Sequence, residues 1–288
     1  MPQQEHSNVF DLISKEYYKF TGSEKKLADF ILANQDGVAY LSISQMAEGA
    51  NVAEATVSRF SRRLGYKGYV EFKLSAANTT LRFKPANNPL SGQVEDKDTI
   101  EQICQKLYTA EMEAIAQTME VLSSETVIKA ADLLEKAPRV LCMGQGGSML
   151  LAQEAAHLFS TVSNKFQPVN DSHLQAMAAA MMDPDDVILF FSYSGSTRAM
   201  METMQLAKKR RGKVILVTRF PNSPGAMFSN VVLQCGANEN PLQSGSIAAR
   251  IAQMYLLDVL FSEYSRRNII RARTYRARIA EALADKHL

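Results

Sequence analysis

The chain has 288 residues, of which 46% are hydrophobic and 22% charged, and a formal net charge of +2. This is room for one large or two modest domains with real cores, and it leaves any nucleic-acid-binding surface to local rather than global charge. The longest apolar runs, such as residues 187–191, fall far short of the ~20 residues a membrane helix needs, so no membrane partner is expected. Three cysteines, Cys104, Cys142 and Cys235, are odd in number, widely spaced and without CxxC spacing, so they read as reduced thiols. The first residues are polar and acidic where a secretory leader needs a basic start and an apolar core. The expected compartment is the cytoplasm.

Taken in order, the first third is helical throughout. Thr21-Gly-Ser-Glu24 is a capping box that opens a helix over Lys25 to Ala33. Ser42-Ile-Ser-Gln45 opens a second over Ile43 to Gly49, and a third is expected from about Glu54 to Leu64, stopped by Gly65. The last two carry a helix-turn-helix pattern. Ala47 sits where two helices cross closely, and Asn51 falls at the turn, where the backbone needs a positive φ. Ile43, Met46, Val52, Val57 and Phe60 take the inward positions. The third helix then presents its other face to a major groove: Ala55, Thr56, Ser58 and Arg59 to base edges, Arg62, Arg63 and Lys67 to phosphates. From Arg59 to Lys84 the basic residues are Arg59, Arg62, Arg63, Lys67, Lys73, Arg82 and Lys84, against one acid, Glu71, a local excess that the whole-chain charge hides. A helical bundle with a solvated basic face is the simpler alternative. The N-cap of the third helix is expected at Ala53, which offers no side-chain acceptor, so Asn51 or water must help.

Residues 85–98 combine Pro, Gly, Asn and charge without apolar period and read as a linker between domains at 1–84 and 99–288. After it come helices at about 100–122 and 124–136. Short apolar runs follow at Val140–Met143, Phe166–Val169, Val187–Phe191, Val214–Thr218 and Val231–Cys235, separated by helical stretches at about 149–163, 172–182, 197–211 and 247–267. Strands alternating with helices imply a doubly wound parallel sheet of five strands. Two of the strand-to-helix turns are rich in Gly and hydroxyls: Gly144-Gln-Gly146-Gly147-Ser148 and Ser192-Tyr-Ser194-Gly195-Ser196-Thr197. Backbone amides and hydroxyls at such helix starts suit a phosphate, and both turns lie on the edge of the sheet where folds of this kind bind ligands. A dinucleotide fingerprint needs a third Gly where Met149 stands, so no nucleotide cofactor is expected, although Asp171 sits where its ribose-binding acid would fall. Helix capping alone is the plainer reading of either cluster taken singly.

The strings Ala55-Thr-Val-Ser-Arg-Phe-Ser-Arg-Arg-Leu-Gly-Tyr-Lys-Gly-Tyr69 and Glu71-Phe-Lys73, with Thr21-x-x-Glu24 before them, resemble the helix-turn-helix domain of RpiR-type bacterial regulators. That family usually has Ser where this chain has Ala53. The two Gly-rich turns resemble the sugar isomerase (SIS) domain, which RpiR-type regulators carry after the DNA-binding domain. The likeness extends to Asp171-Ser-His173, Thr218, Ser223-Pro224, Ser244-x-Ser246, Ala249-Arg250 and Leu257-Asp258. By resemblance, Ser148, Ser192, Ser194 and Thr197 hold a phosphate; Gly146, Gly195 and Ser196, in the same two turns, complete the candidate phosphosugar site. Asp171, His173 and Ser246 are placed to reach the sugar or a neighbouring subunit.

SIS domains also occur in enzymes that interconvert aldose and ketose phosphates, chemistry that needs a base to move a proton between adjacent carbons. The candidates here are His157, Asp171, His173 and Glu202, and His173-Leu-Gln replaces the His-Gly-Asp string of some sugar-phosphate isomerases. No catalytic residue is therefore assigned. His6, His157, His173 and His287 are scattered, and no metal site is expected. Lys208 to Arg211 read as a basic helix end, and Arg266, Arg267, Arg271, Arg273, Arg276 and Arg278 as a solvated face of the C-terminal helix. The resemblance implies a transcriptional regulator that binds operator DNA as a homodimer or homotetramer and responds to a phosphorylated sugar. The alternatives are a sugar-phosphate isomerase with an accessory helical domain and a protein-binding adaptor without a ligand.

Overall fold

A computed structural model describes residues 9–83, 94–236 and 246–284. Arg82's side chain and Lys84 lie outside the described residues, as do His6, His287, Ser244 and most of the expected linker. The chain divides into two compact units, one of residues 1–106 together with 238–246 and the other of residues 107–237 and 247–288.

The first unit is all helical: α1 (Val9–Glu16), α2 (Gly22–Ala33), α3 (Gln35–Val38), α4 (Ile43–Gly49), α5 (Glu54–Arg63) and α6 (Tyr69–Phe83). The expected boxes are present. Glu24 accepts from the backbone and hydroxyl of Thr21, and Ser42 and Gln45 cap each other reciprocally. Leu27, Ile31, Met46, Val57, Phe60 and Phe72 are fully buried, with Ile43 and Val52 packed against them. Asn51 adopts φ +51° at the turn between α4 and α5, the left-handed conformation that Asn tolerates better than most residues. Gly65 takes φ +94° just past α5. Gly49 is needed for a close approach, since a β-carbon there would lie 2.4 Å from the Phe30 ring.

The boundary falls inside α7 (Ile100–Val121), which is followed by α8 (Ser124–Lys136), β1 (Val140–Gly144), α9 (Gly147–Ser160), β2 (Phe166–Val169) and α10 (Ser172–Ala180). Then come β3 (Val187–Phe191), α11 (Arg198–Lys209), β4 (Lys213–Thr218), β5 (Val231–Gln234), α12 (Ile247–Arg267) and α13 (Ile269–Leu283). The five strands form one parallel sheet in the order β2-β1-β3-β4-β5. Alternate residues feed two separate cores. Val140, Cys142, Leu189, Phe191 and Ile215 pack with α8, α9 and α12, whereas Leu141, Met143, Ile188, Phe190 and Leu216 pack with α10 and α11. This is why β1 and β3 read as unbroken apolar runs: both faces are covered. Edge strand β2 departs from that pattern, and it can carry Pro168 because an edge strand has a backbone side with no ladder to break. Cys142 and Cys235 are buried, and burial pushes the Cys142 thiol up to about 12; Cys104 is exposed on α7.

The helix expected over 149–163 begins earlier: α9 starts at Gly147, so Ser148 stands within its first turn. α12 ends at Arg267, as the stretch 247–267 implies, and a separate helix, α13, follows Asn268 and carries the remaining arginines. Arg266 and Arg267 are not simply solvated: Arg266 pairs with Glu263, and Arg267 pairs with Glu263 and Asp132.

Candidate functional site

Strand order reverses between β1 and β3, each of which lies beside the other but connects outward in opposite directions. Register aligns Gly144 with Phe191, so the two Gly-rich turns leave the sheet side by side at this switch point. In the first turn Gly146 has φ +56° and ψ −130°, a region open essentially to glycine alone. A β-carbon on Gly144 would lie 2.3 Å from the Ser148 carbonyl oxygen, which forces glycine at the strand end. Ser148 is half-buried.

The second turn is tighter. Gly195 has φ +59°, and a β-carbon there would lie 2.1 Å from Ser223 Oγ. The Gly195 N–H donates to Ser192 Oγ at 3.2 Å, and its carbonyl accepts from the Gly225 N–H at 2.8 Å. Thr218 Oγ1 donates to the Tyr193 carbonyl, and the Ser196 N–H donates to Ser194 Oγ. Thr197 is the N-cap position of α11. The turn is thus fixed from β4 and from the segment after it, and Ser192, Ser194, Ser196 and Thr197 stand on a backbone already held in place. Ser192 is buried, Ser194 and Ser196 are half-buried and Thr197 is exposed.

Asp171 and His173 lie just past β2, next to β1 on the same edge. Asp171 caps α10: its Oδ1 accepts from the His173 and Leu174 N–H groups at 2.9 and 3.1 Å. The Leu174 N–H foremost holds its carboxyl below the usual carboxylate range. His173 Nδ1 is 3.7 Å from that carboxylate, and its side chain is 93% exposed. Glu202 pairs with Arg198 on the surface of α11, and His157 is exposed on α9. Ser246 immediately precedes α12.

In the first unit the residues expected to face a groove lie along α5 and just past it. Ala55, Arg59 and Arg62 are exposed, Thr56 and Ser58 half-buried, and Lys67 exposed beyond the helix end. Arg63 is the exception. Its guanidinium donates to Glu24 at 2.6 Å and to the Lys19 carbonyl, and stacks over the Phe20 ring. It therefore joins α5 to α2 instead of standing free. Ala53, the N-cap of α5, offers no side-chain bond, as its chemistry requires.

Residues 7–80 match the helix-turn-helix domain of the rpiR family, and residues 133–263 match the SIS domain. An HTH-type transcriptional regulator of Caldanaerobacter subterraneus subsp. tengcongensis is 31% identical over 88% of this chain and 89% of its own length. The chain belongs to the RpiR family of helix-turn-helix transcriptional regulators. The HTH-type transcriptional regulator HexR of Escherichia coli is 28% identical over 96% of this chain and 95% of that protein. Vibrio vulnificus NanR, solved as a complex with ManNAc-6P, shares the fold: TM-score 0.85 at 24% identity, over 97% of this chain and 99% of that one. The architecture of a helical DNA-binding region followed by a five-stranded parallel SIS domain is therefore that of an RpiR-family regulator, and the accessory-domain isomerase reading gives way.

Reasoning from sequence gave no site role to Gln145, Gln175, Thr218 or Ser223. Gln175 Nε2 donates to the carbonyls of Gly144 and Val169, tying together the ends of β1 and β2. Its signal was its place one helical turn after Asp171, on the face that looks back at the strand ends. Among the described residues, Gln145 Nε2 and Ser223 Oγ are buried beside the two turns without a hydrogen-bond partner.

Proposed function

We propose that this RpiR-family regulator binds operator DNA through α5 and that a phosphorylated sugar, held at the β1/β3 switch point, modulates that binding. The observation that carries the reading is the pairing of two glycine-dependent turns at one crevice, both presenting hydroxyls and both opening a helix. In this reading Ser148, Ser192, Ser194, Ser196 and Thr197 take the phosphate, with Gly146 and Gly195 giving it room to approach. Asp171 and His173 are assigned to the sugar or to a neighbouring subunit, and Ser246 is kept as a candidate for the same role. The phosphorylated ligand in the NanR complex supports this ligand class.

The site binds its sugar without converting it. What supports this reading is that Asp171 is occupied in capping α10, that His173 is exposed, and that the relatives are transcriptional regulators. On α5, Ala55, Thr56, Ser58 and Arg59 read base edges, and Arg62 and Lys67 contact phosphates, with Arg63 contributing charge from its place against Glu24. A reader of this size covers few base pairs, so the regulator acts in the cytoplasm as a homodimer or homotetramer on inverted half-sites. No helix among the described residues is long and apolar enough to cross a membrane. Regulation is linkage: the sugar binds one arrangement of the SIS domains better, and that arrangement changes the spacing of the reading helices. The test is Ser192→Ala with Ser194→Ala, which removes the phosphosugar effect on operator binding while DNA affinity without sugar is unchanged. An intact sugar response in that variant contradicts the assignment, and turnover of aldose or ketose phosphates by the wild-type protein contradicts the non-catalytic reading.

A further inference from the structure

Two long helices of the second unit have almost nothing packed on them. Of the 22 residues of α7 only Lys106, Ala114 and Thr118 are buried, and of the 15 residues of α13 only Ala272. Helices this sparsely covered are marginal in water, because most helical stability in proteins comes from a packed apolar face. Both nevertheless carry such a face. On α7, Tyr108, Met112, Ile115 and Met119 follow each other at spacings of four, three and four residues, the stripe of a helix that packs on another helix. Tyr108, Met112 and Met119 are 61%, 49% and 64% exposed. On α13, Ile269, Ala272, Arg276, Ile279 and Leu283 follow each other at three, four, three and four residues, an apolar face interrupted by one arginine; Ile269 and Leu283 are exposed and Ala272 is buried against its own chain.

Their charges are opposite. α7 carries Glu101, Glu111, Glu113 and Glu120, and its one base, Lys106, is buried against Asp98 at 2.8 Å. α13 carries Arg271, Arg273, Arg276 and Arg278 against the single acid Glu281. A face made of two α7 helices would set acid on acid, and one made of two α13 helices would set arginine on arginine, both unfavourable. The stretch of α7 within the second unit and α13 are also matched in length, about 22 Å each at 1.5 Å per residue.

We infer that α13 of one copy docks along the Tyr108–Met119 stripe of α7 in a second copy. A two-fold axis makes this contact twice, which gives the interface the self-complementary form of a closed dimer. The inference rests on the homo-oligomeric reading above and assigns its surface.

The test is sedimentation velocity on the full chain with exposed charges reversed. Glu111→Lys with Glu120→Lys on α7, or Arg273→Glu with Arg276→Glu on α13, each raises the dimer Kd by on the order of tenfold or more. Circular dichroism confirms that each variant is folded. Mixing the two variants restores wild-type affinity, because both contacts of the mixed dimer are again acid on base. A wild-type chain that is monomeric overturns the oligomeric reading itself. A dimeric wild type whose Kd neither reversal changes, or reversals that mixing does not rescue, overturns only this interface. An α13 reversal that lowers operator affinity with the dimer Kd unchanged overturns it in favour of a nucleic-acid contact.

Discussion

The recognition helix and the switch-point crevice solve binding in opposite ways. On α5 the long side chains proposed for DNA contact, Arg59 and Arg62, are exposed and held by little: Arg59 Nε donates to the carbonyl of Ala55 one turn back. Specificity there must be completed by the DNA, which orders the side chains as it binds. In the crevice the backbone is fixed first, by positive-φ glycines and by bonds from Thr218 and Gly225, and short hydroxyls are placed on it. Such a site has little ordering left to do when a ligand arrives. Single substitutions therefore act differently in the two places. In the crevice they should damage fold and ligand binding together, and on α5 they should damage recognition alone.

The largest effect is expected at Gly195. Gly195→Ala combines left-handed strain with a collision against Ser223 Oγ and should lower the stability of the SIS domain by about 3 kcal/mol, read by urea denaturation, with loss of any phosphosugar-induced stabilisation. A variant of wild-type stability would show that the turn is not the fixed element described. Next is Arg59→Ala, expected to cost about 1–3 kcal/mol in operator affinity, measured by fluorescence anisotropy, with thermal stability unchanged. Lys67→Ala in the same assay should weaken all sequences alike and lower the salt slope by about 1.

Arg63 sharpens the comparison, because it belongs to α5 yet behaves like a crevice residue. Arg63→Ala should destabilise the helical unit by about 1 kcal/mol through its lost bonds to Glu24 and the Lys19 carbonyl, with operator binding changing in proportion to charge only. Full stability with a large loss of base discrimination would return Arg63 to the reading set. The smallest effect is at Asp171. Asp171→Ala should remove the side-chain cap of α10 and lower stability slightly. Its folded-state carboxyl sits below the ordinary range, so the cap's contribution is complete above the unfolded-state value and is lost as pH falls through the folded one. An acid titration of stability in wild type and variant should converge at low pH, and curves that stay parallel would contradict the capping role.

Most of this architecture was legible because local rules and the fold agree. The two capping boxes, Asn51 at the turn and Gly65 past α5 each state a backbone requirement that the residue type reveals. The strands were legible because burial on both faces leaves unbroken apolar runs, and the two glycine-rich turns because few other residues fit there. The separate helix α13 was not delimited, since arginine and alanine keep a helical pattern beyond the stretch 247–267. Nor was the role of Arg63, whose partners Glu24 and Lys19 are some 40 residues away in sequence and meet it only in the folded unit. Ser223 was noted only as part of the family likeness, because it meets the Gly195 turn from another element; Gln175 left one local sign, its place one helical turn after Asp171.

The central claim is that the crevice between β1 and β3 holds a phosphorylated sugar and that the regulator responds to it. The most direct measurement is a thermal-shift titration of the full chain with hexose, pentose and N-acetylhexosamine phosphates, each beside its unphosphorylated sugar, in wild type and in Ser192→Ala/Ser194→Ala. At a hundredfold excess over Kd a specific ligand should stabilise the wild type by about 2.7 kcal/mol. The account predicts such a shift for at least one phosphosugar, none for its free sugar, and none in the variant. A free sugar that stabilises as well as its phosphate, or a phosphosugar shift that survives the loss of both hydroxyls, would contradict it.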